Sequence, residues 1–265
     1  MKKNMALALA AMMMTGALTA CGGDKPAADG SDASASGASG ETLVMATNAT
    51  FPPYEYYEGD KVVGIDPEIA QAIADKLGME LQINDMDFDP AIAAAQTGQA
   101  DIVMEGLSVT PDREEKVNFT DSYATGVQVV IVPEDSEIQT LEDMTGKLIG
   151  VQQGTTGDIY CSDTPENGGF GEENVQKFTS GPVAVEALKN GQIDCVVIDN
   201  EPAKNYVAQN EGLKILETEF AVEDYAIGIS KENTELLDKV NTAIRELKED
   251  GTIDKIINKY IPSNG

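Results

Sequence analysis

The chain has 265 residues, of which 46 are acidic and 18 are basic, giving a formal net charge of -28. This acidic excess argues against a nucleic acid partner, because phosphate binding requires clustered lysine and arginine side chains. The sequence has no histidine, which excludes the usual catalytic triads and removes the commonest metal ligand.

The N-terminal segment is typical of an exported lipoprotein. Two lysines follow Met1, and a short apolar run then ends on Leu-Thr-Ala directly before Cys21. Such a run predicts an export signal, because it is too short to span a membrane. The cysteine resembles that of a bacterial lipobox, which implies a signal peptide over 1–20 and lipid on Cys21. The Gly, Ala, Ser and Asp residues that follow predict a flexible linker within 21–41. The expected location is extracytoplasmic, on the cell surface or in the periplasm, with the lipid as the only membrane anchor.

From Thr42 onward, β-branched runs alternate with helical patterns. LVMAT predicts a strand, and the segment from Tyr54 to Ile65 predicts a hairpin. Asp66 is a candidate cap of a helix that Gly78 ends. Further strands are predicted at MELQI, DIVME, KLIGV, VQKF, DCVVID and LKIL, with helices after Pro90, Gly154, Pro182 and Pro202 and two near the C-terminus. Strands separated by crossover helices predict two α/β lobes with helices on both faces of parallel sheets.

One of only two arginines follows the strand DIVME in an unusual position. Thr110 is a good helix N-cap and Pro111 fits the first helical position, so Arg113 falls where the helix dipole disfavours a cation. An anion bound there would offset the penalty, and the loop backbone at Gly106 and Ser108 could supply N–H donors. The alternative is a surface pair between Arg113 and a neighbouring acidic residue.

Two other strand ends carry polar residues where ligands bind in open parallel sheets. Asp199 ends DCVVID and could hold an ammonium group, although the local pattern before Pro202 favours a helix cap. Thr156 follows Gly154 at a helix start that could bind an anion. No lysine stands in the phosphate-loop position, which argues against a nucleotide.

Other residue patterns indicate neither catalysis nor metal binding. The run Asp85, Asp87, Asp89 lacks the glycine and the glutamate of a calcium loop, so we expect no metal and no cofactor. Cys161 and Cys195 predict either a disulfide or two buried thiols on neighbouring elements. We therefore expect a binding protein and not an enzyme.

Several stretches closely resemble one family. TNATFPPYEYYEGDKVVGIDPEIAQAIADKLG, GLSVTPDREEKVNFTDSY, GVQQGTTGD and IDCVVIDNEPA are similar to the bacterial extracellular solute-binding proteins of family 3, the polar amino acid receptors of ABC importers. The resemblance implies a two-lobed, type II periplasmic-binding-protein-like α/β fold, each lobe a mostly parallel sheet with helices on both faces. Two hinge strands are implied, near 123–127 and 221–225. The first lobe would combine 42–125 with 223–265, and the second would span 126–222.

The resemblance also implies a binding site. The ligand carboxylate would meet Arg113 and backbone groups, and the ligand ammonium would meet Asp199 and the Gly106 carbonyl. The remaining implied contacts are the backbone of Gly106, Ser108 and Thr156 and the aromatic rings of Phe51 and Phe88. Three positions depart from common family residues and bear on specificity: Asn48, Glu105 and Gln152. Glu105 could add an acidic contact that favours a cationic or amide side chain.

The function that follows is capture of a polar L-amino acid between two closing lobes, for delivery to the transmembrane subunits of an ABC permease. The protein is expected to act as a monomer. Two alternatives are an amino acid sensor that signals to a membrane kinase and a dehydratase on the same fold.

Overall fold

A computed structural model describes residues 41–216 and 218–262 of the chain. The predicted signal peptide, Cys21 and the linker up to residue 40 lie outside the described residues. Within the described ranges, no helix is long and apolar enough to cross a membrane.

The elements alternate along the chain, as the sequence pattern predicts. The helices are α1 (Ile65–Leu77), α2 (Phe88–Thr97), α3 (Pro111–Glu114), α4 (Thr156–Ser162), α5 (Gly181–Lys189), α6 (Asn200–Gln209), α7 (Thr234–Glu249) and α8 (Thr252–Tyr260). The strands are β1 (Thr42–Thr47), β2 (Thr50–Phe51), β3 (Glu55–Glu58), β4 (Lys61–Val63), β5 (Glu80–Asp85), β6 (Ile102–Val103), β7 (Val117–Phe119), β8 (Ala124–Pro133), β9 (Ile149–Gln152), β10 (Val175–Phe178), β11 (Cys195–Asp199), β12 (Leu213–Ile215), β13 (Ala221–Tyr225) and β14 (Gly228–Ser230). Short 3-10 turns cover Glu142–Met144, Pro165–Asn167 and Glu172–Asn174.

The first large sheet has the strand order β5-β1-β6-β14-β7. Its β5, β1 and β6 are parallel, and β14 runs antiparallel to both of its neighbours. The predicted hairpin between Tyr54 and Ile65 forms β3 and β4, and β2 joins them in a small separate sheet. Apolar clusters cover both faces of the first sheet, one with α1, α7 and α8 and the other with α2.

The second large sheet has the order β10-β9-β11-β8-β12, with β13 also paired to β8. Here β10, β9 and β11 are parallel, whereas β8 is antiparallel to its three partners. The helices α5 and α6 pack on one face and α4 packs on the other. Each large sheet is therefore mixed, and not mostly parallel as the resemblance implied. The crossover helices link the parallel strands, and strands that come from the other lobe add antiparallel pairs.

Two strands pass between the lobes side by side. The first half of β8 pairs with β13 in the register Ala124 to Tyr225 through Gln128 to Ala221, so both hinge segments expected from the resemblance lie on this ladder. Tyr225 is fully buried, and its ring lies against Gly126, where an added Cβ would come within 2.2 Å of the phenol oxygen. Only glycine fits at position 126, and its lack of a side chain lets the Tyr225 ring lie flat against the backbone of the neighbouring strand.

The helices owe their stability to their apolar faces. Along α1, Ile65, Ile69 and Ile73 recur every fourth residue and are fully buried, and each such burial contributes about 1.5–3 kcal/mol. Gly78 ends α1 in the left-handed conformation at φ 70, as predicted for a C-cap. These helices hold the strand ends that form the site.

Candidate functional site

Carboxyl ends of strands from both large sheets meet at one cavity. In the first sheet, β1 leads into Asn48 and β6 leads into Glu105. In the second sheet, β9 ends on Gln152 and β11 ends on Asp199. The cavity lies between the two sheets and is lined by side chains from both.

All ten residues that the sequence analysis assigned to a ligand lie around this cavity. They are Asn48, Phe51, Phe88, Glu105, Gly106, Ser108, Arg113, Gln152, Thr156 and Asp199. The cavity is also lined by five residues that the sequence analysis did not assign to the ligand: Glu55, Gln128, Thr155, Val197 and Ile198. Gln128 could have been found, because it is the one polar side chain within the apolar run VQVVIV, and a polar residue inside a buried strand needs a partner.

Arg113 is buried against the cavity and does not pair at the surface. Only 4% of the residue is exposed, and its Nη1 donates to the Ser108 carbonyl at 2.7 Å while its Nη2 donates to the Gly154 carbonyl at 3.1 Å. The guanidinium lies 5.1 Å from the centre of the Phe88 ring, an attractive cation–π distance. Burial lowers the pKa of Arg113, and the carboxyls of Glu105 and Glu223 oppose that shift. The surface ion pair considered from the sequence is therefore wrong.

The local start of α3 follows the predicted pattern. Thr110 is the N-cap, its hydroxyl accepts from the Arg113 N–H at 3.3 Å, and Pro111 occupies the first position. The helix has only four residues, so its dipole is small and the penalty on the arginine is modest. The short turn places Arg113 next to the strand end instead of pointing it into solvent.

Asp199 occupies the N-cap position of α6 but does not cap it. Its side chain makes no capping bond. Instead, the Tyr225 hydroxyl donates to Oδ1, and Gln128 Nε2 donates to Oδ2 at 2.6 Å. Burial raises the pKa of Asp199 to about 7, and the Glu223 carboxylate adds to the shift, while the two hydrogen bonds oppose it. The cap interpretation is therefore wrong, and the carboxyl is available to the cavity.

The prediction that Asp66 caps α1 is also wrong, since Gly64 is the N-cap. Asp66 is fully buried and accepts from the Gly106 N–H at 2.9 Å and from the Tyr123 hydroxyl at 2.8 Å. Burial raises its pKa to about 6, against the pull of these two donors. The Gly106 N–H, expected as an anion donor, is thus already engaged, and Asp66 fixes the loop that carries Gly106.

Two buried carboxyls, those of Glu55 and Glu105, face the cavity. Neither oxygen of Glu105 has a hydrogen-bond partner among the described residues, whereas the Glu55 carboxyl hydrogen-bonds with the Asp66 carboxyl. Burial raises the pKa of both carboxyls well above the usual range, with the carboxyls of Asp66 and Glu105 adding to the shift at Glu55 and Arg113 opposing it at Glu105. Unpaired buried acceptors are costly, so the Glu105 oxygens indicate where a ligand donor belongs.

Asn48 and Gln152, two of the positions that depart from the family, bond to each other across the cavity. Gln152 Nε2 donates to Asn48 Oδ1 at 2.9 Å, and the Gly181 N–H donates to Gln152 Oε1 at 3.2 Å. Asn48 Nδ2 donates to the Met86 carbonyl at 2.9 Å. This amide pair links the two lobes and leaves few free polar atoms on either side chain.

Cys161 and Cys195 are free, buried thiols within one apolar cluster. Burial raises the pKa of Cys195 to about 12 and raises that of Cys161 as well, so neither is a reactive thiolate. Of the two alternatives left open by the sequence, the structure contains the pair of buried thiols. The described residues also contain no group of acidic or cysteine side chains that could hold a metal ion.

Two lobes around a cavity with a buried guanidinium at one strand end and a buried carboxyl at another define a protein that encloses a small polar solute. The family described as bacterial extracellular solute-binding proteins, family 3, matches residues 43–263. The chain belongs to this family. The predicted family, fold class and solute-binding role are confirmed, and membership indicates a location outside the cytoplasm.

Individual relatives are similar over nearly their whole length. The arginine-binding extracellular protein ArtP of Bacillus subtilis (strain 168) is 34% identical over 260 residues, covering 97% of this chain and 98% of that protein. An ancestral arginine-binding protein bound to arginine is 41% identical with a TM-score of 0.77, covering 83% of this chain and 97% of that one. The arginine-, lysine-, histidine-binding protein ArtJ of Geobacillus stearothermophilus is 30% identical with a TM-score of 0.79, covering 85% and 97%. These relatives are named as binding proteins, in agreement with a role other than catalysis.

Proposed function

We propose that the protein captures an L-amino acid with a cationic side chain, arginine in the first place, and delivers it to the transmembrane subunits of an ABC permease. The observation that carries this proposal is the excess of acidic over basic side chains in the cavity lining. Three buried carboxyls, those of Glu55, Glu105 and Asp199, line it together with a single cation, Arg113.

The main-chain groups of the ligand account for two of these charges. Arg113 pairs with the α-carboxylate, for which a planar guanidinium is well suited. Asp199 accepts from the α-ammonium. Both protein groups are more than nine-tenths buried, so a ligand that lacks either charged group leaves a buried charge uncompensated.

The side chain of the ligand accounts for the remaining acidic groups of the lining. A ligand with a neutral side chain would offer no cation to Glu105, whereas a guanidinium brings five N–H donors and a positive charge that favours the ionised form of this carboxyl. Phe51 and Phe88 flank the cavity and suit the aliphatic stem. Relatives favour the same ligand, since the solved neighbours include an arginine-binding protein bound to arginine and an arginine-, lysine-, histidine-binding protein.

We further propose the lobe boundaries 42–125 plus 223–265 and 126–222, with closure about β8 and β13. The ligand favours the closed state by its greater affinity for that state. Direct bonds between the lobes, such as that from Arg113 to the Gly154 carbonyl, support this binding cycle. A monomer is sufficient for it, because the residues named above come from one chain.

Titration calorimetry on ligand-stripped protein tests the ligand assignment. We expect L-arginine to bind at least about tenfold more tightly than L-glutamine, and we expect Glu105→Gln to weaken arginine binding by about 1.5–3 kcal/mol, the usual value of a charged hydrogen bond. Glutamine affinity should stay within about twofold, because its amide does not need the charge. Glu115→Gln, at an exposed position on the same segment, is the matched control. Equal losses for both ligands would show that Glu105 is structural, and no binding of any amino acid would contradict the proposed function.

We also propose that Cys21 carries a lipid that anchors the mature protein to the membrane. Support comes from the order of a basic start, a short apolar run and Leu-Thr-Ala before the cysteine. Cys21→Ser is expected to shift the protein from the membrane fraction to the soluble extracytoplasmic fraction, with arginine affinity unchanged. Persistence of the variant in the membrane fraction after a salt wash would contradict the anchor.

A further inference from the structure

One carboxylate on the hinge ladder gathers donors from both lobes. Glu223 on β13 is nine-tenths buried. Its Oε2 accepts from Thr156 Oγ1 at 2.8 Å, from Ser108 Oγ at 3.1 Å and from Gln128 Nε2 at 3.1 Å. Its Oε1 accepts from the Tyr160 hydroxyl at 2.8 Å. Three of these four donor residues line the cavity, whereas Glu223 itself lies just behind the lining.

The hydrogen bonds to Glu223 determine whether the hydroxyls of Ser108 and Thr156 can donate to a ligand or only accept from it. A serine or threonine hydroxyl has one hydrogen and two lone pairs. Because Ser108 and Thr156 donate that hydrogen to Glu223, each can meet a ligand only as an acceptor. Thr156 Oγ1 already accepts from Gln128 Nε2 at 3.3 Å, which leaves it one lone pair for the ligand. Their partner in the cavity must therefore be a donor such as an ammonium group, and not a carboxylate.

The Glu223 carboxylate is also linked, through Gln128, to Asp199, the acidic residue that faces the ligand. Gln128 Nε2 donates to Glu223 and also to Asp199 Oδ2, at 2.6 Å. The amide thus holds two negative groups on the same side of the cavity, and the Glu223 charge raises the pKa of Asp199. The opposite pole is Arg113, whose guanidinium donates to backbone carbonyls.

We infer that Glu223 is a positioning residue for the α-ammonium of the ligand. It orients the hydroxyls of Ser108 and Thr156 as acceptors, and through Gln128 it holds Asp199 beside them. The ammonium then meets three acceptors in a fixed arrangement, while the carboxylate is left to Arg113 and the backbone. This inference rests on the proposed function and adds the reason why an amine at the α-carbon is required.

Ligand pairs that differ only in the α-amine test the inference. Glu223→Ala is expected to weaken binding of L-arginine by about tenfold or more, because the Ser108 and Thr156 hydroxyls lose the oxygen that accepts their hydrogens and can turn those hydrogens toward the ammonium. Binding of 5-guanidinopentanoic acid, which is arginine without the α-amine, should change by less than about twofold. Asp224→Ala, at the exposed neighbour on β13, is the matched control. Calorimetry provides the affinities, and a thermal melt checks that each variant is folded.

A second variant keeps the test independent of the folding of the first. Ser108→Ala should produce the same selective loss for arginine, and adding it to Glu223→Ala should cost less than the sum of the two, since both act through the Ser108 hydroxyl. Equal losses for the two ligands, or an unchanged arginine affinity in Glu223→Ala, would overturn the inference while leaving the proposed function in place. Failure of the wild-type protein to bind any amino acid would overturn both.

Discussion

Replacing Arg113 by alanine is expected to lower the affinity for L-arginine by about 2–5 kcal/mol, or at least about thirtyfold, as for other truncations of buried charge pairs. Within its own lobe, the guanidinium is held in place by the bond to the Ser108 carbonyl and by the Phe88 ring, and the bond to the Gly154 carbonyl of the other lobe is added on closure. A ligand carboxylate therefore meets a donor that loses little side-chain freedom on binding.

Arg113→Lys separates charge from geometry. Lysine keeps the positive charge but has three donors and no planar fork, so it cannot pair with both carboxylate oxygens while it bonds two carbonyls. We expect most of the affinity loss of the alanine variant to persist in the lysine variant. Arg245→Ala is the matched control, because the second arginine of the chain is exposed and pairs with Asp121 at 3.3 Å. Calorimetry that gave Arg113→Ala an affinity within about twofold of wild type would remove Arg113 from the site.

The site residues that could be predicted from the sequence are those with an unusual local sequence pattern. Arg113 stood out because it follows a good N-cap and a proline, and Asp199 stood out because it ends an apolar strand. Local reasoning alone nevertheless favoured the wrong role for Asp199, as a helix cap. Only the resemblance to a family brought the two residues together at one site.

The residues that could not be predicted act through partners distant in sequence. Asp66 has the local pattern of a helix cap, yet its donors come from Gly106, 40 residues later, and Tyr123, 57 residues later. Glu223 lies 115 residues from Ser108. Glu55 had no distinguishing pattern, because an acidic residue in a hairpin is ordinarily solvated. Burial, which the sequence does not display at these positions, is what makes each carboxyl significant.

Partners distant in sequence also explain why each large sheet is mixed. Crossover helices predict parallel pairs, and β10, β9 and β11 are indeed parallel. The antiparallel partner β8 is a continuous apolar strand that the pattern of alternating elements did not reveal, although the resemblance placed a hinge at its start. It crosses from one lobe to the other and carries Gln128 to the cavity, so the same strand links the lobes and the site.

Asp199→Asn is expected to weaken L-arginine binding by about 2–5 kcal/mol at neutral pH and to remove a pH response that the wild-type protein should show. The substitution keeps the shape of the side chain and removes its charge. The α-ammonium then faces a neutral amide in a buried site, with no charge to replace the water that it has lost.

The sign of the pH response follows from the raised pKa. Without ligand, Asp199 titrates near pH 7 because burial and Glu223 disfavour its charged form. An ammonium ligand needs that form, so below this pH the carboxyl must first release a proton, at a cost of up to about 1.4 kcal/mol for each pH unit. Wild-type affinity for arginine should therefore rise with pH through about 7 and then level off, and proton release should accompany binding.

Calorimetry from about pH 5 to about pH 9 in buffers of different ionisation enthalpy measures both the affinity and the released proton. Asp199→Asn should lose the component centred near pH 7, while any response from Glu55 and Glu105 remains in both proteins. Asp194→Asn is the control, since this exposed residue just before β11 accepts from the Leu148 N–H, away from the cavity. A wild-type affinity that stayed flat through neutral pH would mean that Asp199 does not pair with the ligand ammonium.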